Sequence, residues 1–74
     1  MHSLIKRSVN LSGHATSLAL EPEFWAVLDR MGQGRSFAAL IGEIDAGRSG
    51  RPLASACRVA ALAWVQDAAT LPSV

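Results

Sequence analysis

Between residues 14 and 25 the chain reads HATSLALEPEFW, and the spacing of its apolar positions changes inside that stretch. Thr16, Leu18 and Leu20 alternate with Ala15, Ser17 and Ala19, which is the period of a half-buried strand over about 15–20. From Pro22 onward the period is helical. Phe24, Leu28 and Met31 recur at i, i+4 and i+7 with Val27 beside them, so a helix is expected over about 22–32. Pro22 suits its first position, and Glu21 and Glu23 put negative charge at the positive end of its dipole. Gly32 or Gly34 is expected as a left-handed cap. A second helix is predicted over about 36–46. Ser36 is its N-cap, Phe37, Leu40, Ile41 and Ile44 form its stripe, and Gly47 closes it. After the polar loop AGRSGRP, a third helix is predicted over about 53–69. Leu53, Cys57, Ala60 and Trp64 share one of its faces. Val59, Leu62 and Val65 extend the apolar surface round most of its circumference, so it calls for cover on several sides.

The predicted order is strand, helix, helix, helix, and a lone strand leaves backbone N–H and C=O groups without partners. Two solutions are open. Val9 and Leu11 alternate weakly and SGH offers a turn, so residues 8–11 and 15–20 can form a hairpin within the chain. The preferred solution pairs strand 15–20 with its own copy across a two-fold axis, since an isolated hairpin is marginal in water. Residues 1–13 are then a basic N-terminal arm, and 14–70 form the domain.

Size and composition support a second copy. The chain has 74 residues, half of them hydrophobic, and a single cysteine, Cys57. A domain this small buries only about 60% of its unfolded surface. With no disulfide and no zinc-ligand spacing, oligomerisation is the expected way to complete the core. A lone cysteine suits a reducing compartment, so a cytoplasmic protein is expected. No signal peptide follows Lys6 and Arg7, and Val59–Val65 is too short to span a bilayer. Net charge is +1, but His2, Lys6, Arg7 and His14 all precede the first carboxylate, Glu21. That asymmetry hints at a polyanionic partner.

The stretches KRSVNLSGHATSLALEPEFWAVL, RSFAALIGEIDAG and LASACRVAALAWV together resemble one bacterial subfamily of ribbon-helix-helix domain proteins, in which KRS, GH.TS, EFW and EIDA segments recur. The Arc and methionine repressors share this kind of ribbon and read DNA with it. The resemblance implies a mainly α, ribbon-helix-helix fold with a third C-terminal helix, its N-terminal strand pairing across an intertwined homodimer. The implied dimer core is Leu18, Leu20, Trp25, Leu40, Ile41, Ile44 and Trp64. The implied partner is double-stranded DNA, with the ribbon in the major groove. Base-facing positions fall at Ala15, Ser17 and Ala19. Phosphate contacts fall at Arg35, Ser36 and Phe37, where the second helix offers free amides, and Lys6 and Arg7 are basic candidates beside them.

Two alanines among three base-facing positions cannot donate to a guanine edge and touch only thymine methyls. The affinity expected from this face is therefore mostly phosphate-based and tolerant of sequence. The alternative is a dimer used for protein association without strong DNA binding. His14 is expected to be structural or exposed, and Glu43 and Asp45, two apart, do not face each other on a helix. Cys57 reads as a small hydrophobe. No nucleophile–base pair, metal spacing or phosphate-cradling glycine loop is present, so no enzyme activity, cofactor, membrane association or small-molecule substrate is expected.

Overall fold

The structure, a computed structural model, describes residues 3–69. His2 and residues 70–74 lie outside the described residues. Two strands, β1 (Ile5–Leu11) and β2 (His14–Leu20), precede three helices, α1 (Pro22–Met31), α2 (Phe37–Ala46) and α3 (Leu53–Ala69). The helices fall within a residue of the spans expected from periodicity.

Of the two pairings the sequence left open, the hairpin forms within the chain. β1 and β2 form an antiparallel hairpin within one chain, in register from Leu11↔His14 to Ile5↔Leu20. Ser12 and Gly13 make the turn, with φ of 53° and 82°. Positive φ at both central residues defines the type I′ turn, whose twist matches that of the flanking strands. The stretch expected to be a free arm is thus mostly β1. The backbone of β2 finds its partner a few residues upstream, without a second chain. The hairpin is not isolated, because helices cover its inner face, and that removes the objection to it in water.

Alternation sends Val9, Leu18 and Leu20 inward, where they join Trp25, Leu28, Leu40, Ile41, Cys57 and Ala61 in one buried cluster. Leu18, Leu20, Trp25, Leu40 and Ile41, expected in a shared dimer core, are buried by their own chain, while Ile44 and Trp64 are half-buried. Cys57 is fully buried, and burial pushes its thiol up to about 11. It is a packed hydrophobe, inert at neutral pH.

The caps follow local chemistry. Ser36 Oγ accepts a hydrogen bond from the Ala39 amide at 3.0 Å, as an N-cap should. Glu21, at the N-cap of α1, makes no side-chain cap. Its carboxylate instead accepts from Arg58 Nε on α3 at 2.9 Å, tying the end of the ribbon to the last helix. Of the glycines expected to cap α1, Gly34 has the positive φ, 86°, whereas Gly32 ends the helix at φ −86°.

The turn yields a stability test. A Cβ at Gly13 meets nothing within 4 Å, so its substitution is penalised by the backbone alone. Gly13→Val should lower unfolding free energy by about 1–2 kcal/mol. Ser12→Asn should raise it by a few tenths, roughly the scale of a better-tolerated left-handed residue. Urea midpoints at constant m read both.

Candidate nucleic-acid interface

Consecutive residues on a strand face opposite ways. Lys6 and Arg7, expected to act together as phosphate contacts, are therefore separated by the pleat. Lys6 is exposed on the outer face of the ribbon, and Arg7 turns inward. The Arg7 guanidinium lies 4.3 Å from the Trp25 ring centroid and 5.9 Å from that of Phe37. Its Nη1 and Nη2 donate to the two oxygens of Asp29 at 2.9 and 3.2 Å. Trp25 Nε1 donates to the Ile5 carbonyl at 2.7 Å. Arg7 is therefore a clamp between β1 and α1, with its guanidinium on Asp29 and Trp25 instead of beside Lys6 on the outer face. Once β1 is paired, alternation puts Arg7 on the side of Val9.

The outer face of the ribbon carries six side chains in three cross-strand pairs, Lys6↔Ala19, Ser8↔Ser17 and Asn10↔Ala15. Ala15 and Ser17 are exposed and Ala19 half-buried, while Lys6, Ser8 and Asn10 are all exposed. No carboxylate stands among the six. The expected base-facing trio is thus only half of the face. Ser8 and Asn10 were missed because β1 was not paired. Counting outward from the Ser12–Gly13 turn places both.

Phe37, the first residue of α2, stacks its ring 5.7 Å from that of Trp25, and its closeness to Arg7 sets the start of α2 beside β1. The Phe37 side chain is structural, so only its backbone amide is available to an anion. Ser36 is the N-cap, and first-turn amides ahead of the Ala39 bond have no partner within a helix. Arg35 is exposed, and its Nη1 lies 3.1 Å from Glu43 Oε2. An ion pair this open to solvent is weak and exchanges readily.

Most of the seven cations are already engaged. Arg58 pairs with Glu21, and Arg48 pairs with Asp45 at 2.6 Å and donates to the Arg51 carbonyl. Glu43 and Asp45 are thus separate surface partners of different arginines, as expected from their spacing. Arg30 lies over the Trp64 ring at 5.0 Å. Lys6 makes no ion pair among the described residues. No group of three or more metal-ligating side chains occurs among the described residues, and no helix among them is long and apolar enough to cross a membrane.

A second surface lies on α3. Val59, Leu62 and Val65 are spaced by three and share a face turned away from the core, with exposures of 46%, 55% and 38%. This face borders an open groove lined by Ile44, Gly47, Ala56, Ala60 and Ala63.

A two-stranded ribbon closed over helices, with the second helix capped by serine, defines a ribbon-helix-helix domain. The family model of that description matches residues 4–65, and the chain belongs to this family. No curated protein and no solved structure matches the chain. Domains of this family typically bind DNA, form dimers and regulate transcription.

The clamp predicts a pH dependence. The Arg7 hydrogen bonds hold the Asp29 carboxyl below its ordinary 3.8, and Arg58 holds Glu21 below 4.5. A depressed folded value stabilises at pH above the ordinary value and loses that contribution as pH falls through the folded one. Stability should therefore decline below about pH 4, and Asp29→Asn should flatten the decline, as read by thermal melts across acid pH. Arg7→Ala should destabilise by about 1–2 kcal/mol at neutral pH through lost stacking and stem packing. Arg7→Lys should recover little, because an ammonium lacks the planar fork.

Proposed function

We propose that this protein is a homodimeric, cytoplasmic, DNA-binding transcriptional regulator that sets its ribbon into the major groove and catalyses no reaction. The observation that carries this reading is the division of the ribbon into two faces. The inner face is consumed in the core. The outer face has no acid and holds Lys6 at one end. The major groove admits a two-stranded ribbon. Lys6 and Arg35 supply phosphate contacts, helped by the first-turn amides of α2 at Ser36 and Phe37. The free, buried Cys57 suits a reducing cytoplasm.

The two copies meet through α3. Val59, Leu62 and Val65 form an exposed apolar stripe that a monomer has no use for, and dimers are usual in the family. The same stripe favours a second reading, a dimer for protein association alone. DNA titration separates the two.

With only Lys6 and Arg35 as side-chain phosphate contacts, about four phosphates are neutralised per dimer. The slope of log K against log salt should then be roughly −3.6, and affinity should fall about a hundredfold between about 50 and 200 mM salt. Lys6→Ala should reduce the slope magnitude by roughly 2. Fluorescence anisotropy on a labelled duplex checks both, and absence of binding at the lower salt leaves the association reading. Leu62→Asp should leave the fold intact by circular dichroism and shift sedimentation from dimer to monomer at micromolar concentration. An unchanged dimer places the contact elsewhere.

A further inference from the structure

We propose that the groove between α2 and α3 binds a small monoanionic amphiphile, a carboxylate on a short apolar body, with the Arg51 guanidinium as its anchor. The site is separate from the ribbon and does not depend on the DNA-binding reading. The turn that leads into α3 builds its charged end. The Arg51 amide donates to the Arg48 carbonyl at 2.9 Å, and Ser49 and Gly50 have φ of 50° and 81°. Positive φ at both central positions defines a type I′ turn, which sets Arg48 and Arg51 side by side at its two ends. Ser49, a non-glycine residue, is held in the left-handed region to close it.

Charge at this end does not cancel. Arg48 is committed, its Nε donating to Asp45 at 2.6 Å and its Nη1 to the Arg51 carbonyl at 2.9 Å. Glu43, the carboxylate in the groove lining, lies 3.1 Å from Arg35. The Arg51 guanidinium lines the groove and makes no hydrogen bond or ion pair with the described residues. Arg35, Arg48 and Arg51 therefore stand against Glu43 and Asp45, and one positive charge is left over, at Arg51. A monoanion balances it, and the planar fork of arginine matches a carboxylate bidentately.

The rest of the groove is apolar. Ile44 and Gly47 on one side and Ala56, Val59, Ala60 and Ala63 on the other bound about 340 Å³. Four of these six residues carry at most a methyl group, so the chain itself leaves the space unfilled. Small-ligand sites begin at about 300 Å³. At about 30 Å³ for each water-sized group, the groove takes roughly ten non-hydrogen atoms. It follows α3 only from Ala56 to Ala63, about 10 Å of helix rise, which is short for a partner helix of several turns and suits a small molecule. Of the exposed stripe on α3, Val59 alone lines the groove, so stripe and groove are neighbouring surfaces. Burying the apolar body supplies affinity, and Arg51 selects the sign of the head group.

The test is amide NMR of the full chain titrated with octanoate, octanol and octylammonium, all kept below micelle formation. Octanoate should shift the amides of residues 47–51 and 56–63 in one saturable step. Octanol has the same tail without the charge and should bind roughly fivefold more weakly, the upper scale of an exposed ion pair. Octylammonium should not saturate. Arg51→Ala should cost octanoate the same factor and leave octanol unchanged, and Arg51→Lys should recover part of the loss. Ala60→Leu fills the groove and should abolish binding of both. Ala63→Leu, at an exposed position, repeats that test should Ala60→Leu fail to fold by circular dichroism. Equal binding of octanoate and octanol overturns the site, as does octanoate binding that survives Arg51→Ala unchanged. Shifts centred on Leu62 and Val65 instead of the groove, or no saturation with octanoate, also overturn it. DNA binding is untouched by any of these outcomes.

Discussion

The backbone of β2 is paired with β1 across a two-residue turn, and the other features of the domain depend on that pairing. A strand beside a buried core must have its amides and carbonyls satisfied. Here the partner lies a few residues upstream, held by Ser12 and Gly13 in left-handed conformations. The pairing turns Val9 in beside Leu18 and carries Arg7 over Trp25. It also leaves a second row of polar side chains on the outer face. The Arg7 clamp and the Trp25 bond to the Ile5 carbonyl then hold the far end of the hairpin against α1.

The cations of this chain are mostly spent on its own architecture. Arg7 and Arg58 join the ribbon and its exit to α1 and α3, and Arg48 braces the loop before α3. A protein that bound nucleic acid by charge alone would carry more free cations than Lys6, Arg51 and a loosely paired Arg35. The proposed interface therefore leans on shape and base edges more than its basic N-terminal sequence implies. A modest phosphate contribution, of the order set by a few released counterions, makes discrimination among sequences easier to observe.

The apolar excess of the chain is only partly absorbed. The chain completes a core around Trp25, Leu28 and Ile41 without help, which small size alone did not suggest. What remains exposed is the outer face of α3 at Val59, Leu62 and Val65, together with Leu4 and Ile5 at the start of the ribbon.

Helix spans, the Ser36 cap, the inward face of β2 and the burial of Cys57 were legible from the sequence. Each depends on periodicity or on chemistry within four residues. The strand mate, the side on which Arg7 falls, and the membership of Ser8 and Asn10 in the outer face were decided by tertiary structure. Pairing is a contact between segments, and the same alternation in β2 is satisfied by a strand from its own chain or from another. Once helices cover the inner face, the two-residue turn keeps the entropy cost of pairing β1 with β2 small. That choice determines the composition of the outer face, and no local pattern in either strand encodes it.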